Sequence, residues 1–234
     1  MATGFDLAIM EWLNQFSRVS LPLDKAIYVV AESHLLKGGV LLALLWWCWT
    51  RRTGRLIGPD LLSLRTIAGA FVAIAVGRAM QNLLPMRLRP AHDPDLGFTV
   101  PYDVNIEALD GWSSFPSDHA VLFFALATAL WRSHRAIGGL AFLWALVVIG
   151  LPRVYLGLHY PTDILAGGVV GIAIMATILA VPVPASLRSW FGDLQSERPG
   201  LVYSLGFLVT FQMATLFENL RRLLGGAAIV LLGR

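Results

Sequence analysis

The sequence predicts an all-α protein: a polytopic membrane helical bundle of about six spans, with interfacial helices at its N-terminus. Three observations lead there. Of the 234 residues, 56% are hydrophobic and only 14% are charged, and the mean hydropathy is +0.66, too apolar for an ordinary soluble domain, in which about 25% of residues are charged. The apolar residues fall in several runs approaching the ~20 needed to cross hydrocarbon. The basic residues gather in loops between those runs, so the small net charge of +3 describes membrane topology and gives no support to nucleic-acid binding.

Taken in order, residues 5–18 predict a short amphipathic helix with Phe5, Ile9, Trp12, Leu13 and Phe16 on one face, lying in the interface. Asp6 and Glu11 interrupt its apolar residues, and no basic region precedes a hydrophobic stretch, so no cleavable signal is expected there. Residues 22–34 predict a second short helix, interrupted by Asp24, Lys25 and Glu32. The first span is expected at 37–50, ending in Trp46, Trp47 and Trp49, which suit a headgroup region. Cys48, the only cysteine, lies among them as a small packed residue and excludes an intramolecular disulfide. The second span, 63–84, stops at Pro85.

Residues 85–117 are rich in Pro, Asp and Gly and too polar to enter lipid. Spans follow at 118–132, 138–156, 162–181 and 200–218, and 219–234, which opens Asn219-Leu220-Arg221-Arg222, reads as an interfacial or short re-entrant segment. The stretch Ala166-Gly-Gly-Val-Val-Gly171 allows close helix packing and lacks the Lys-Ser/Thr ending of a phosphate loop. No internal repeat is evident. The whole chain, 1–234, is expected to form one domain, with a core at 37–181, interfacial helices in 1–36 and an extra C-terminal span in 200–234.

These spans put three basic loops on one side: Arg51, Arg52 and Arg55; Arg132 and Arg135; and Arg188. The positive-inside rule makes that side cytoplasmic. The opposite side holds 85–117, with Asp93, Asp95, Asp103, Glu107 and Asp110, and the turn at 153–162.

The chemistry is concentrated on that opposite side. Arg153-Val-Tyr-Leu-Gly-Leu-His159-Tyr-Pro-Thr-Asp163 sets a guanidinium, an imidazole and a carboxylate in fixed order between two apolar runs. Ionisable groups at a bilayer edge are costly and read as functional. Pro161 suits a first helical turn, which puts Asp163 one pitch from His159, where a carboxylate can hold one ring nitrogen and aim the other outward. Arginine offers a planar fork matched to phosphate oxygens. Ser117 and His119 follow Pro116 at the start of a span, where backbone N–H groups favour an anion and an imidazole can supply a proton. Arg89, before Pro90, adds a further phosphate contact. His119 and His159 suggest zinc only weakly, since no His-Glu-x-x-His or cysteine pair accompanies them and the arginines repel a cation. His34, His92 and His134 lack partners at useful spacing and read as structural.

Together these segments resemble the signature of the type 2 phosphatidic acid phosphatase superfamily, which includes the vanadium haloperoxidases. That pattern is Lys-x6-Arg-Pro, then Pro-Ser-Gly-His, then Ser-Arg-x5-His-x3-Asp. Arg89-Pro90, Pro116-Ser117-x-His119 and Arg153, His159 and Asp163 match it in order and spacing across roughly residues 37–181. Asn82 stands where the family has lysine, Asp118 where it has glycine and Pro152 where it has serine. Asn82 removes a positive charge, and Asp118 adds a carboxylate that needs an arginine partner beside a phosphate. The Pro-Ser-Asp-His variant resembles the bacterial undecaprenyl pyrophosphate phosphatase branch.

The resemblance implies phosphoryl transfer without metal or other cofactor. His159 acts as nucleophile and forms a phosphohistidine, with Asp163 orienting it and His119 protonating the leaving oxygen. Arg89, Arg153 and Ser117 bind the phosphate. The expected function is a lipid phosphatase in a bacterial inner membrane, its site facing the periplasm or exterior and its partners a lipid substrate and the bilayer. Undecaprenyl diphosphate is the first-choice substrate, followed by phosphatidic acid or phosphatidylglycerophosphate. The alternatives are a lipid phosphotransferase using the same intermediate and a non-catalytic lipid-binding or transport protein.

Overall fold

The computed structural model describes residues 2–51, 54–58, 60–105, 107 and 111–216. The expectations for Arg52, Asp110 and 219–234 lie outside these residues. Ten α-helices are present among them: α1 (Gly4–Asn14), α2 (Leu21–Glu32), α3 (Val40–Thr50), α4 (Leu62–Leu83), α5 (Asp118–Ser133), α6 (Arg135–Trp144), α7 (Leu151–Tyr155), α8 (Pro161–Ala180), α9 (Ala185–Glu197) and α10 (Pro199–Ala214). No strand occurs among the described residues.

Local chemistry sets the boundaries. Thr3 and Asp6 cap α1 reciprocally, each side chain accepting from the other's backbone N–H. At the end of α4, Leu84 turns extended, as the residue before a proline does. A π-helical turn, Leu35–Gly39, joins α2 to α3, and the two halves meet at a 56° bend. A second π turn, Ala145–Gly150, links α6 to α7. It lies immediately before Pro152, which has no N–H for the Val148 carbonyl and whose ring would crowd it, so the backbone widens there.

Among the described residues each expected span falls on helix, but the helices are unequal, and the 200–218 span is helical as Pro199–Ala214. Three are long and apolar enough to cross a membrane: Leu62–Leu83, Arg135–Tyr155 and Pro161–Ala180. The bent α2–α3 pair passes the same test as a unit. At 16 residues α5 is about 24 Å long, short of a ~30 Å hydrocarbon layer. It is the central helix, however, packed by α3, α4, α6 and α8, with Val121, Leu122, Phe123, Leu126 and Leu130 fully buried. Protein replaces lipid around it. Outer faces carry exposed Leu140, Leu143, Val169, Phe207 and Leu208, as lipid-facing surfaces do.

One helix was not expected from the sequence. The segment at 185–197, expected only as the loop of Arg188 between two spans, forms α9, whose Gln195 accepts from the Ile57 N–H. It joins the end of the bundle that holds the basic loops: Arg55 reaches Ser196 at 3.3 Å, and Arg65 donates to the carbonyls of Ile178 and Val181 at 2.8 and 2.9 Å.

At the opposite end α5 and α8 begin side by side, the Ser117 N–H donating to the Asp163 carbonyl at 3.2 Å. Glycines make this closeness possible. A Cβ on Gly167 would stand 2.6 Å from the Ser117 carbonyl oxygen, and one on Gly171 only 2.1 Å from that of Val121. Gly171→Leu should therefore cost more than the about 1–3 kcal/mol usual for overpacking. A thermal melt in detergent should show the loss, while Gly192→Leu, where a Cβ meets nothing within 4 Å, should leave the melt essentially unmoved.

Candidate active site

The polar stretch 85–117 ties three chemical segments together over the end of the bundle. The Ser114 N–H donates to the Arg87 carbonyl at 2.9 Å, which pairs the Arg87–Pro90 segment with the run leading into α5. The Ala91 N–H donates to the Gly157 carbonyl at 2.9 Å, and Arg89 Nη1 to the Leu158 carbonyl at 2.7 Å. Gly157 takes the left-handed conformation, φ +70°, which ends α7 and lets the Leu158 and His159 N–H groups return to the Arg153 carbonyl at 2.9 and 3.3 Å.

These contacts enclose a cavity of about 520 Å³ lined by Arg78, Arg89, Asp118, His119, Arg153 and His159, with Glu32, His34 and Lys37 contributed by the N-terminal helices. His159 is 3% exposed. Its Nδ1 lies 2.8 Å from the Ser114 carbonyl oxygen and 3.7 Å from Asp163 Oδ2. A carbonyl only accepts, so Nδ1 carries the hydrogen and the lone pair of the neutral ring is on Nε2. Burial above all, with help from the Arg89 charge, pushes His159 below the ordinary 6.5, against the opposing pull of Asp163 and Asp118. The ring is thus neutral near pH 7.

His119, the second residue of α5, sets Nδ1 2.9 Å from Asp118 Oδ1. The other oxygen of Asp118 is 2.6 Å from Arg78 Nη2. The carboxylate in the glycine position is therefore neutralised by an arginine and orients an imidazole. Arg153 is 2% exposed, and its Nε and Nη1 meet no acceptor; the same holds for Arg89 Nε. Buried donors normally find partners, so these stand ready for an anion. Burial pulls Arg89 below its ordinary pKa, while Asp118 and Asp163 act the other way.

Ser117, expected to bind phosphate, and Asp163, expected to orient His159, are both set back from the cavity lining. Ser117 is fully buried and caps α5, its hydroxyl accepting from the Ala120 N–H at 3.5 Å, which uses a lone pair and leaves the O–H to donate. Asp163 is fully buried too, and accepts from the Tyr160 N–H at 2.8 Å and from Arg87. The nearest acceptor to His159 Nδ1 is thus the Ser114 carbonyl, and Asp163 is the second. Asn82 is exposed and faces a separate hollow with Gln81, Leu84, Met86 and Trp112.

A further contributor, Asp6, reads in the sequence only as an interruption of α1. Fully buried, it accepts from Arg87 Nη2, the Thr162 N–H and the Thr162 hydroxyl, all at 2.9 Å. Arg87 thereby bridges Asp6 and Asp163 and lies 4.1 Å over the Tyr160 ring. An acidic residue inside an apolar helix face was the available signal.

A membrane bundle with two oriented imidazoles and two under-satisfied arginines around one cavity defines a phosphate-ester-processing membrane protein. The family model described as the PAP2 superfamily matches residues 62–185, and the chain belongs to that family; it is a membrane lipid phosphatase. An Escherichia coli K12 relative named "Putative undecaprenyl-diphosphatase YbjG" is 30% identical over 165 residues, covering 68% of this chain and 77% of the relative. The lipid A 1-diphosphate synthase of the same organism is 30% identical over 125 residues, 51% of this chain and 52% of its own. The fold also resembles the crystal structure of a transmembrane PAP2-type phosphatidylglycerolphosphate phosphatase from Bacillus subtilis, with a TM-score of 0.51 and 20% identity over 74% of this chain and 82% of that one.

Removing Asp6 takes one of the two buried carboxylates from Arg87 and leaves the Thr162 N–H and hydroxyl without their acceptor, and breaking a buried pair typically costs about 3–5 kcal/mol. Asp6→Ala should lower the unfolding midpoint in detergent accordingly. Burial opposes the Asp6 charge, but bonds from Thr3, Thr162 and Arg87 hold its carboxyl below the ordinary 3.8. Its stabilisation is therefore complete above pH 3.8 and is lost as the pH falls through the lower folded value, and acid unfolding of Asp6→Ala should lack that component.

Proposed function

We propose that this phosphatase removes the terminal phosphate of a polyprenyl diphosphate, undecaprenyl diphosphate being the first choice, through a phosphohistidine on His159. The observation that carries the reading is the His159 hydrogen bond to the Ser114 carbonyl, which leaves the Nε2 lone pair on a ring lining the arginine-walled cavity.

Nε2 attacks the terminal phosphorus, and the bond from that phosphorus to the bridging oxygen breaks. Charge spread over the equatorial oxygens is met by Arg89 and Arg153. His119, its Nδ1 hydrogen directed at Asp118, gives a proton from Nε2 to the leaving oxygen; Asp118 stabilises the imidazolium that does so. Now neutral, His119 takes a proton from water, which attacks the phosphohistidine, breaks the P–N bond and releases phosphate. The cavity walls are cationic enough to disfavour a divalent metal, so the chemistry proceeds without one.

The name of the Escherichia coli undecaprenyl-diphosphatase relative supports the substrate. A cavity at the end of a membrane bundle also suits a lipid whose tail stays in the bilayer. The basic loops at the other end of the bundle support an extracytoplasmic site in a bacterial inner membrane. A second reading is transfer of the phosphoryl group to a lipid acceptor, favoured by the relative named a lipid A 1-diphosphate synthase.

With chelator present, wild type should release phosphate from lipid diphosphates, and His159→Ala should lose at least about a thousandfold. Retention of activity in His159→Ala would remove the nucleophile, and transfer rather than hydrolysis would appear as phosphorylated lipid acceptor without free phosphate. The acid limb of the kcat/KM profile should lie below pH 6.5, because the attacking His159 must be deprotonated and burial holds its pKa below 6.5, while the alkaline limb reports loss of the His119 proton. In a Cys48→Ala background, cysteine placed at Thr99 should react with an impermeant maleimide from outside intact cells and cysteine at Ser133 should not; the reverse would put the site in the cytoplasm.

A further inference from the structure

Ahead of Arg89 the chain runs Leu83-Leu84-Pro85-Met86-Arg87-Leu88. Helix α4 stops at Leu83, so these apolar side chains emerge past the end of a span. Leu83, Leu84, Met86 and Leu88 are all exposed, and such a run marks a surface that another apolar group covers. Trp112 stands beside it, 49% exposed. With Leu84 and Met86 it borders a hollow of about 370 Å³, within the size range of small-molecule sites. Gln81 and Ser113 are the buried part of that lining. Gln81 donates to the Pro116 carbonyl at 2.9 Å and accepts from Arg78 at 3.3 Å, and the Ser113 hydroxyl donates to the Phe115 carbonyl at 3.4 Å. The hollow thus offers a surface to an apolar chain and little to a polar headgroup beyond the exposed Asn82.

Trp112 also lines the phosphate cavity, so the two spaces share one side chain. A row of contacts leads from it to the proton donor. The Arg78 guanidinium lies 5.6 Å over the Trp112 ring, Arg78 Nη2 is 2.6 Å from Asp118 Oδ2, and Asp118 Oδ1 holds His119 Nδ1 at 2.9 Å. His119 serves the leaving oxygen, which carries the lipid. In-line displacement sets that oxygen on the side of phosphorus away from His159, so the lipid departs by the His119 wall, where Trp112 stands. A second apolar hollow, about 310 Å³, has no such connection. Ile27, Val30, Leu151, Pro152 and Tyr155 line it, on faces of α2 and α7 other than those that turn Tyr28, Glu32 and Arg153 to the cavity.

We propose that Trp112, Leu84 and Met86 bind the part of the prenyl chain next to the leaving phosphate, which makes chain length a determinant of turnover; this rests on the phosphohistidine reading above. As the bond between the terminal phosphorus and the bridging oxygen breaks, its electron pair passes to that oxygen, which takes the His119 proton. Contacts made by the chain, remote from the reacting atoms, hold this oxygen at the imidazole. The indole supplies a broad apolar face at low entropic cost, and the Met86 thioether adapts to the chain laid against it.

The test compares farnesyl diphosphate with dimethylallyl diphosphate, which share a headgroup and differ in chain length, on the full chain in detergent. Wild type should favour farnesyl diphosphate in kcat/KM. Trp112→Ala should cut that preference by about tenfold, the worth of one buried apolar side chain, whereas Trp112→Phe should keep most of it and Met86→Gln should fall between. An unchanged ratio in Trp112→Ala would overturn the proposal, because the hollow would then meet only detergent or bulk lipid. Equal losses on both substrates would overturn it too, because Trp112 would then act on the phosphates through Arg78. Photolabelling of wild type needs no variant and no turnover. A farnesyl methylenediphosphonate carrying a diazirine on its prenyl chain should label Trp112 or residues 83–88, and the same compound without the diazirine should displace it. Label on Ile27, Val30 or Val148, or label that is not displaced, would overturn the proposal. Failure of the underlying reading looks different: wild type releases no phosphate from either diphosphate, or His159→Ala releases it as well as wild type.

Discussion

A single guanidinium, that of Arg87, lies between two fully buried carboxylates, Asp6 and Asp163, and the arrangement of the site depends on it. Two anions cannot share a water-poor space unless a cation and hydrogen-bond donors repay their lost hydration. The donors here come from widely separated parts of the chain: the Thr3 and Thr162 N–H groups for Asp6, and the Tyr160 N–H for Asp163. One ionic cluster therefore joins α1, the polar stretch before Pro90 and the first turn of α8. That first turn follows His159 directly, so the imidazole is placed by a scaffold whose polar groups are nearly all committed elsewhere. What remains uncommitted is informative, since the unmet donors of Arg89 and Arg153 are in residues that line the cavity.

The departures from the family pattern make sense only in space. Asn82 removes a charge from the position that carries lysine in the family, but that position in this chain is exposed and faces a different hollow. Positive charge is supplied instead by Arg78, one turn earlier on α4, and by Lys37 from the N-terminal helices. Asp118, awkward beside a phosphate when considered alone, is held by Arg78 on one oxygen and holds His119 with the other. The two substitutions are thus complementary: the arginine that brings compensating charge to the cavity is the one that quenches the added carboxylate.

The elements legible in the sequence were those with a local signature. Long apolar runs marked α4, α6–α7 and α8, because crossing lipid demands length and composition that no loop shares. Arg153, His159 and Asp163 stood out because they occupy one short segment and charged groups are rare there. What escaped notice had no such signature. The Ser114 carbonyl that fixes the His159 tautomer is backbone, identical in every residue type. Asp6 meets Thr162 across 156 residues of sequence, and Lys37 reaches the cavity through a π turn that propensity does not announce. Ser117 is ambiguous for a related reason: a serine before a helix suits both an anion site and a cap, and here its oxygen serves the cap.

The N-terminal helix shows how one element can answer two demands. Its outer face exposes Phe5 and Trp12, while Asp6, Met10 and Leu13 are buried. Helical spacing turns residues 6, 10 and 13 inward together, so an amphipathic pattern ordinarily read as surface attachment also carries a carboxylate to Arg87. Met10 and Leu13 belong to the apolar cluster that includes Val154, Tyr155 and Ile164, on either side of the His159 turn. Apolar burial and the ion pair therefore act on the same few residues from the same helix. The pair supplies direction, since only one rotation of α1 brings Asp6 to Arg87, and the cluster supplies the non-directional attraction that holds the helix there. Rotation by one residue, about 100°, would take Asp6 away from Arg87 and expose the apolar stripe at once, so each interaction excludes the errors the other would tolerate.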